Sequence, residues 1–183
     1  MVACGVRVAD TARDAAACAD IYGYFVEQST ATFEYEAPTV AEFESRIAEV
    51  VRTHEWLVAE RDGRTLGFAY ASPWNPRPAY EWSCETTIYV RSGAEGSGIG
   101  RSLYAQLIER LRHRGFRTAI GRIALPNDAS MRLHESFGYT PVGVHRALGF
   151  KHGQWVDVLH TELHLNETDD APLPVRRPAD AKP

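Results

Sequence analysis

The chain has 183 residues, with 24 acidic and 20 basic side chains and a formal net charge of −4. That length suits a single domain able to bury a core without covalent staples. A content of 44% hydrophobic and 24% charged residues is ordinary for a globular chain. The acidic balance argues against a nucleic-acid partner, which would want a basic face. No run of 18 apolar residues is present, so no membrane-spanning helix is expected. The opening MVACGVRVAD lacks the pattern of a secretory leader. Cys4, Cys18 and Cys84 are odd in number and widely spaced, with no CxxC pair, so neither a metal framework nor a disulfide is expected. A reducing cytoplasm fits that usage.

In chain order, residues 6–8 read as a short strand. A helix follows from Asp10 to about Glu27, capped by Asp10 or Thr11 and carrying Ala16, Ile21 and Phe25 as apolar positions. Residues 27–38, EQSTATFEYEAP, read as a loop. Thr39 with Glu42 has capping-box spacing, and Phe43, Ile47 and Val50 or Val51 follow at helical intervals. Residues 56–61 and 65–72 flank Asp62-Gly63, a hairpin signal. PWNPRPAY, residues 73–80, is an irregular proline-rich loop. Residues 82–90 read as a strand with Glu85, Thr87 and Tyr89 on one face and Cys84, Thr86, Ile88 and Val90 on the other.

GAEGSGIG then precedes a helix in which Ile99, Leu103, Leu107 and Leu111 recur every four residues, ended by Gly115. A strand over 117–123, a short helix from Asn127 to Phe137, and strands at about 140–147 and 154–165 joined by ALGFKHG complete the ordered part. The residues from Asn166 onward carry four of the ten prolines and are expected to be a disordered tail, 166–183, beyond a domain of residues 1–165. Helices alternating with strands, together with two antiparallel hairpins, indicate an α/β (α+β) mixed sheet with helices on its faces.

The glycines at 96, 98 and 100 stand where a helix begins, so its unpaired N–H groups and dipole suit a pyrophosphate; a plain glycine turn is the simpler alternative. A P-loop is excluded because Ile99-Gly100, not Lys-Ser/Thr, follows Gly98. The dinucleotide fingerprint is excluded because Arg101 stands where its last glycine would be. The pattern x-x-G-x-G after a β-branched strand, with the Asn127 helix downstream, resembles the GNAT N-acyltransferase superfamily. STATFEYE, WLVAERDG, GFAYASPWNPRPAYEW, ETTIYV, GSGIGRSLY, LPNDASMRLHESFGY and GFKHGQWVDV, in that order, resemble the phosphinothricin and methionine sulfoximine N-acetyltransferase group over residues 6–165.

That resemblance implies a twisted mixed sheet splayed open at the cofactor site, acetyl-CoA as co-substrate, a homodimer, and no metal. It implies cofactor contacts at Ile88, Tyr89, Val90, Gly96, Ser97, Gly98, Ile99, Gly100, Arg101 and Asn127. Asn127 could equally be a helix cap. Glu95 departs from the superfamily's usual Gln or Arg and would repel a pyrophosphate unless it points to solvent or Arg101 and neighbouring arginines compensate.

Acetyl transfer to an amine needs a base, a polarised carbonyl and a proton for the thiolate. Glu85 is the candidate base, with a structural pairing to an arginine such as Arg77 as the alternative. His134, two helical turns after Asn127, is the candidate acid. Cys84 points away from Glu85 and reads as a buried apolar residue rather than a nucleophile. Phe33, Trp74, Arg77, Tyr80 and Tyr89 are candidates for the acceptor site, Arg77 as a clamp for an amino-acid carboxylate. Lys151 and His152 could add positive charge there, from the second subunit of a dimer, but read first as solvated surface groups. Asn75 and Pro78 stand where the phosphinothricin enzymes carry Lys and Asn, so a neutral-tailed acceptor such as methionine sulfone would suit this loop better. An acetyltransferase of another small amine, such as a polyamine or a protein N-terminus, is the alternative among enzymes, and a non-catalytic acyl-CoA sensor the alternative to an enzyme.

Overall fold

The computed structural model describes residues 4–166 and 170–178. Seven strands form one sheet in the order β1-β2-β3-β4-β5-β7-β6. They are β1 (Gly5–Val8), β2 (Trp56–Arg61), β3 (Arg64–Pro73), β4 (Ser83–Val90), β5 (Thr118–Ala124), β6 (Thr140–Lys151) and β7 (Gln154–His164). The helices are α1 (Thr11–Gln28), α2 (Val40–Val50), α3 (Ile99–Arg114) and α4 (Asp128–Ser136). Every sheet pairing is antiparallel except β4 with β5.

The helix ends form where the sequence signals them. Asp10 caps α1 by accepting from the Arg13 N–H at 2.9 Å, and Thr39 and Glu42 close a reciprocal capping box on α2. Gly115, at φ 91°, ends α3 in the left-handed conformation that glycine adopts without strain. Ala16 is exposed, and Ala15, Cys18, Ala19 and Tyr22 supply the buried face of α1 instead. ALGFKHG is mostly strand: β6 continues to Lys151, and His152-Gly153 alone make the turn.

Strand alternation divides the core in two. Leu57, Ala59, Ala69, Ala71 and Cys84 pack with Leu103, Leu107 and Leu111 of α3. Val58, Phe68 and Tyr89 point the other way, onto Tyr22, Phe43 and Ile47 of α1 and α2. Trp56 lies flat on Tyr70, with ring centroids 4.3 Å apart. The described part of the tail has no helix or strand but touches the body. The Leu173 carbonyl accepts from the Trp82 indole at 2.8 Å, and the Arg176 carbonyl accepts from Arg114 Nε at 2.6 Å. Arg114 is itself buried against Glu55, at 3.2 Å.

Beside Arg114 lies His54, 8% exposed. Burial, and next the Arg114 charge, push its pKa from 6.5 down to about 4. Between those values the unfolded chain binds a proton at this residue and the folded chain does not, so stability falls as pH drops from 6.5 to 4. The loss reaches on the order of 3 kcal/mol at the lower end. Urea midpoints measured across that range should fall more steeply for the wild type than for His54→Asn; parallel curves would contradict the assignment.

Candidate active site

β4 and β5 pair only from Ser83↔Thr118 to Glu85↔Ile120. β4 then runs on to Val90 and β5 to Ala124 without pairing to each other, so the sheet opens between them. The other edge of β4 stays bonded to β3 as far as Gly67↔Val90. Backbone direction alternates along a strand. The Arg91 N–H donates to the Leu66 carbonyl, so the backbone groups of Tyr89 also face β3, while those of Ile88 and Val90 face the gap.

A cavity of about 390 Å³ fills this gap. Thr86, Thr87, Ile88, Tyr89 and Val90 line it from β4, and Arg122, Ile123 and Ala124 from β5. Tyr104, Leu133 and His134 reach it from the α3–α4 side of the sheet, and Phe25 and Ala31 from the α1 side. The cavity therefore passes through the sheet rather than lying on one face.

The glycine loop closes one end. Gly96, Gly98, Ile99, Gly100 and Arg101 line the cavity, and Gly96 and Gly98 have φ of 71° and 82°. Gly98 caps α3 with no side-chain bond, leaving the first-turn N–H groups for a ligand. Ser97 instead turns its hydroxyl to the Ala94 carbonyl at 2.5 Å. Glu95 also lines the cavity, its carboxylate accepting the Gly93 N–H at 2.7 Å. Arg101 stacks over Phe137, 5.7 Å from the ring centre. Asn127 both lines the cavity and caps α4, accepting the Ser130 N–H at 3.1 Å. A glycine cradle, a free strand edge and a channel through the sheet fit the phosphates and the extended amide arm of a coenzyme A thioester.

The two catalytic candidates lie on opposite sides of the sheet. Glu85 shares the α1 face with Tyr89, its side chain 15% exposed, and accepts from Arg122 Nε at 2.8 Å. The arginine that pairs with it thus comes from β5, not from the loop at Arg77. Because Arg122 lines the cavity, the pair stands at its α1-side mouth. His134 is 4% exposed, with Nδ1 2.8 Å from the Ser130 carbonyl and Nε2 3.0 Å from the Tyr104 hydroxyl. Burial lowers its pKa, and the Ser130 carbonyl partly restores it.

Tyr104 is fully buried, and burial raises its pKa. Its hydroxyl also lies 3.4 Å from Thr86 Oγ1, which is 2.7 Å from the Tyr139 hydroxyl. Tyr104 is not among the residues the sequence points to; it follows Leu103 in α3. A tyrosine there, whose hydroxyl must find a buried partner, was the available signal.

The acceptor candidates are more dispersed. The Tyr89 ring is buried among Tyr22, Phe25 and Phe68. Phe33 rests on β6 at Gly149. Trp74 stands edge-on to His160, with ring centroids 6.0 Å apart. Arg77 and Tyr80 are exposed, and the Arg77 N–H is held by Asn75 Oδ1 at 3.0 Å. None of Phe33, Trp74, Arg77, Tyr80 and Glu85 lines the cavity itself. Lys151 departs from its surface reading: it is 1% exposed, whereas His152 is exposed in the turn. Cys84 is buried, and burial pushes its thiol up to about 12, which leaves no thiolate near neutrality. Among the described residues no three His, Cys, Asp or Glu side chains group as a metal site, and no helix is long and apolar enough to cross a membrane.

The comparisons agree with this geometry. A phosphinothricin N-acetyltransferase of Streptomyces viridochromogenes is 42% identical over 166 residues, covering 91% of this chain and 90% of that protein. An L-methionine sulfoximine/L-methionine sulfone acetyltransferase of Salmonella typhimurium is 30% identical, covering 88% and 95%. The crystal structure of a GNAT superfamily phosphinothricin acetyltransferase from Sinorhizobium meliloti, in complex with AcCoA, superposes with a TM-score of 0.89 at 33% identity, covering 94% of each chain. The family model described as "Acetyltransferase (GNAT) domain" matches residues 8–160, a span that runs from the end of β1 into β7 and includes the glycine loop and the opened sheet. On the strength of that span the chain belongs to the GNAT acetyltransferase family.

Proposed function

We propose that this protein transfers acetyl from acetyl-CoA to the α-amino group of a small amino acid or analogue of the phosphinothricin, methionine sulfoximine or methionine sulfone type, by direct attack. One observation carries the reading. The cavity crosses the sheet, with a carboxylate–arginine pair at one mouth and a histidine–tyrosine pair on the other side. An amine attacking a thioester loses its proton on one side of the carbonyl as the sulfur leaves on the other, so base and acid belong on opposite sides.

Acetyl-CoA supplies the activated acetyl group. The glycine-loop N–H groups of 96–101 hold its phosphates, and the gap-facing backbone of Ile88 and Val90 pairs with its amide arm as an added strand and polarises the carbonyl. Glu85 takes the ammonium proton, directly or through water, while Arg122 fixes the carboxylate. His134 reaches the thiolate through Tyr104. Burial makes the imidazolium the minority form, and when it forms both ring N–H groups are satisfied, by the Ser130 carbonyl and the Tyr104 oxygen. As negative charge grows on sulfur, a proton passes from the Tyr104 hydroxyl and is replaced from Nε2. Tyr89, Phe33 and Trp74 form the apolar part of the acceptor site, and Arg77 meets its carboxylate.

Free-thiol release with phosphinothricin, methionine sulfoximine and methionine sulfone tests this, with turnover expected on at least one. Binding of acetyl-CoA with no release from any of them would overturn the reading and favour a sensor. Asn75→Lys should shift the ratio of rates toward the anionic phosphinothricin; an unchanged ratio would remove Asn75 from the specificity argument.

A homodimer belongs to the same proposal. β6 is an edge strand that exposes Val142, Val144, Leu148 and Phe150, next to the exposed Trp155 of β7. Long apolar edges of this kind are normally covered. Sedimentation should give twice the chain mass, and Val142→Lys should lower it.

A further inference from the structure

Residues 29–36 form no helix or strand, although they carry Ala31, which lines the cavity, and Phe33. A segment without its own ladder keeps one conformation only if something outside it supplies the contacts. The last three residues of β6 supply part of them, beside the Tyr22 hydroxyl, which lies 2.6 Å from Thr32 Oγ1 and donates to Glu34 at 2.8 Å, and Arg46, which donates to both Glu34 oxygens at 2.8 and 3.0 Å. Lys151 Nζ donates to the Thr32 carbonyl at 2.7 Å and lies 3.5 Å from the Phe25 carbonyl. The Tyr35 hydroxyl donates to the Phe150 carbonyl at 2.7 Å. The Phe33 ring lies flush on Gly149, where a Cβ would come within 2.5 Å of it.

A fully buried ammonium is costly unless its donors are satisfied. The Phe25 carbonyl belongs to the last turn of α1, which has no basic residue of its own and whose dipole favours a cation. Glu34 adds attraction, while burial works against the charge. One side chain therefore ties together the end of α1, whose Phe25 lines the cavity, and the loop that follows it.

We propose that Lys151 is a positioning residue for the acceptor half of the site: its buried ammonium fastens residues 29–36 to β6, so that Phe25, Ala31 and Phe33 hold one wall in place. The inference rests on the acceptor site proposed above. Gly149 is the second part of the device, because only a residue without Cβ lets Phe33 lie on the strand.

The test uses Lys151→Met, which keeps the apolar stem and removes the charge, and Gly149→Ala, which displaces Phe33 and leaves the ammonium. Hydrogen exchange over residues 29–36 should rise about tenfold or more in Lys151→Met, with exchange in β2–β4 unchanged. The KM for the acceptor should rise about tenfold in both variants, with kcat and the KM for acetyl-CoA within about twofold of wild type. Unchanged exchange in 29–36 would overturn the proposal. So would equal rises in both KM values with exchange raised throughout, which would mark a merely structural lysine. If Lys151→Met does not fold, Gly149→Ala decides, and an unchanged acceptor KM there overturns the proposal. If wild type acetylates none of the acceptors, the acetyl-transfer reading fails separately, and the exchange measurement still decides whether Lys151 fastens the loop.

Discussion

Glu85→Gln should lower kcat by about 10²–10⁴, the usual worth of a positioned acid or base. Glutamine keeps the size of the side chain and an oxygen for Arg122 Nε, which now lies 2.8 Å from Glu85 Oε1, so the mouth of the cavity keeps its shape. What disappears is the capacity to accept a proton from the attacking ammonium. Acetyl-CoA affinity should therefore stay within about twofold of wild type, because the glycine loop and the β4 edge are untouched. The defect should also shrink with rising pH. As the acceptor amine deprotonates unaided, the variant should gain about tenfold in kcat/KM per pH unit below the amine's own pKa. A pH–rate profile parallel to that of wild type would mean that Glu85 holds Arg122 and does no proton transfer. A kcat within about threefold of wild type at neutral pH would remove it from the mechanism.

Gly121→Ala should be comparably damaging through a different residue. Gly121 lies in β5 behind His134, and a Cβ there would fall 2.7 Å from His134 Cδ2, 2.8 Å from its Nε2 and 2.7 Å from Thr161 Oγ1. The β5 ladder to β7 holds the backbone on one side, so the imidazole must move, and it loses the 3.0 Å contact with Tyr104. The expected cost is about 10²-fold or more in kcat, with about 1–3 kcal/mol of stability from overpacking. His134→Ala removes the imidazole from the contact and leaves only Thr161 Oγ1 against the new methyl, so the double variant should have about the same kcat as His134→Ala alone. If the two losses multiply instead, Gly121 acts on something other than His134. The unfolding midpoint separates the two effects: the double variant should keep the part of the stability loss that comes from Thr161 Oγ1, while its activity matches that of His134→Ala.

The amino-acid sequence by itself determined the element types. Thr39 with Glu42 built the α2 cap, Asp62-Gly63 the hairpin, and the four-residue spacing of Ile99 to Leu111 the buried face of α3. Those signals are local: caps, turns and periodicity act over a few residues, and tertiary packing only reinforced them. Alternation along β4 likewise separated Cys84, Ile88 and Val90 from Tyr89 as read. The glycine loop and the collinear motifs carried the family.

Only the tertiary structure decided the rest. That β4 and β5 part after Glu85 is a relation between strands that neither strand's pattern encodes. The arginine beside Glu85 lies 37 residues away, on a neighbouring strand. Nothing local in α3 told what the Tyr104 hydroxyl would meet; Thr86 and His134, on other elements, met it. Lys151 read as surface because lysine seldom leaves water. Two carbonyls from a segment more than a hundred residues earlier made its burial possible. Periodicity reports which face a side chain occupies. Which polar groups meet across the core depends on how the whole chain closes, because a buried charge or hydroxyl is stable only where a distant partner is brought within hydrogen-bond reach.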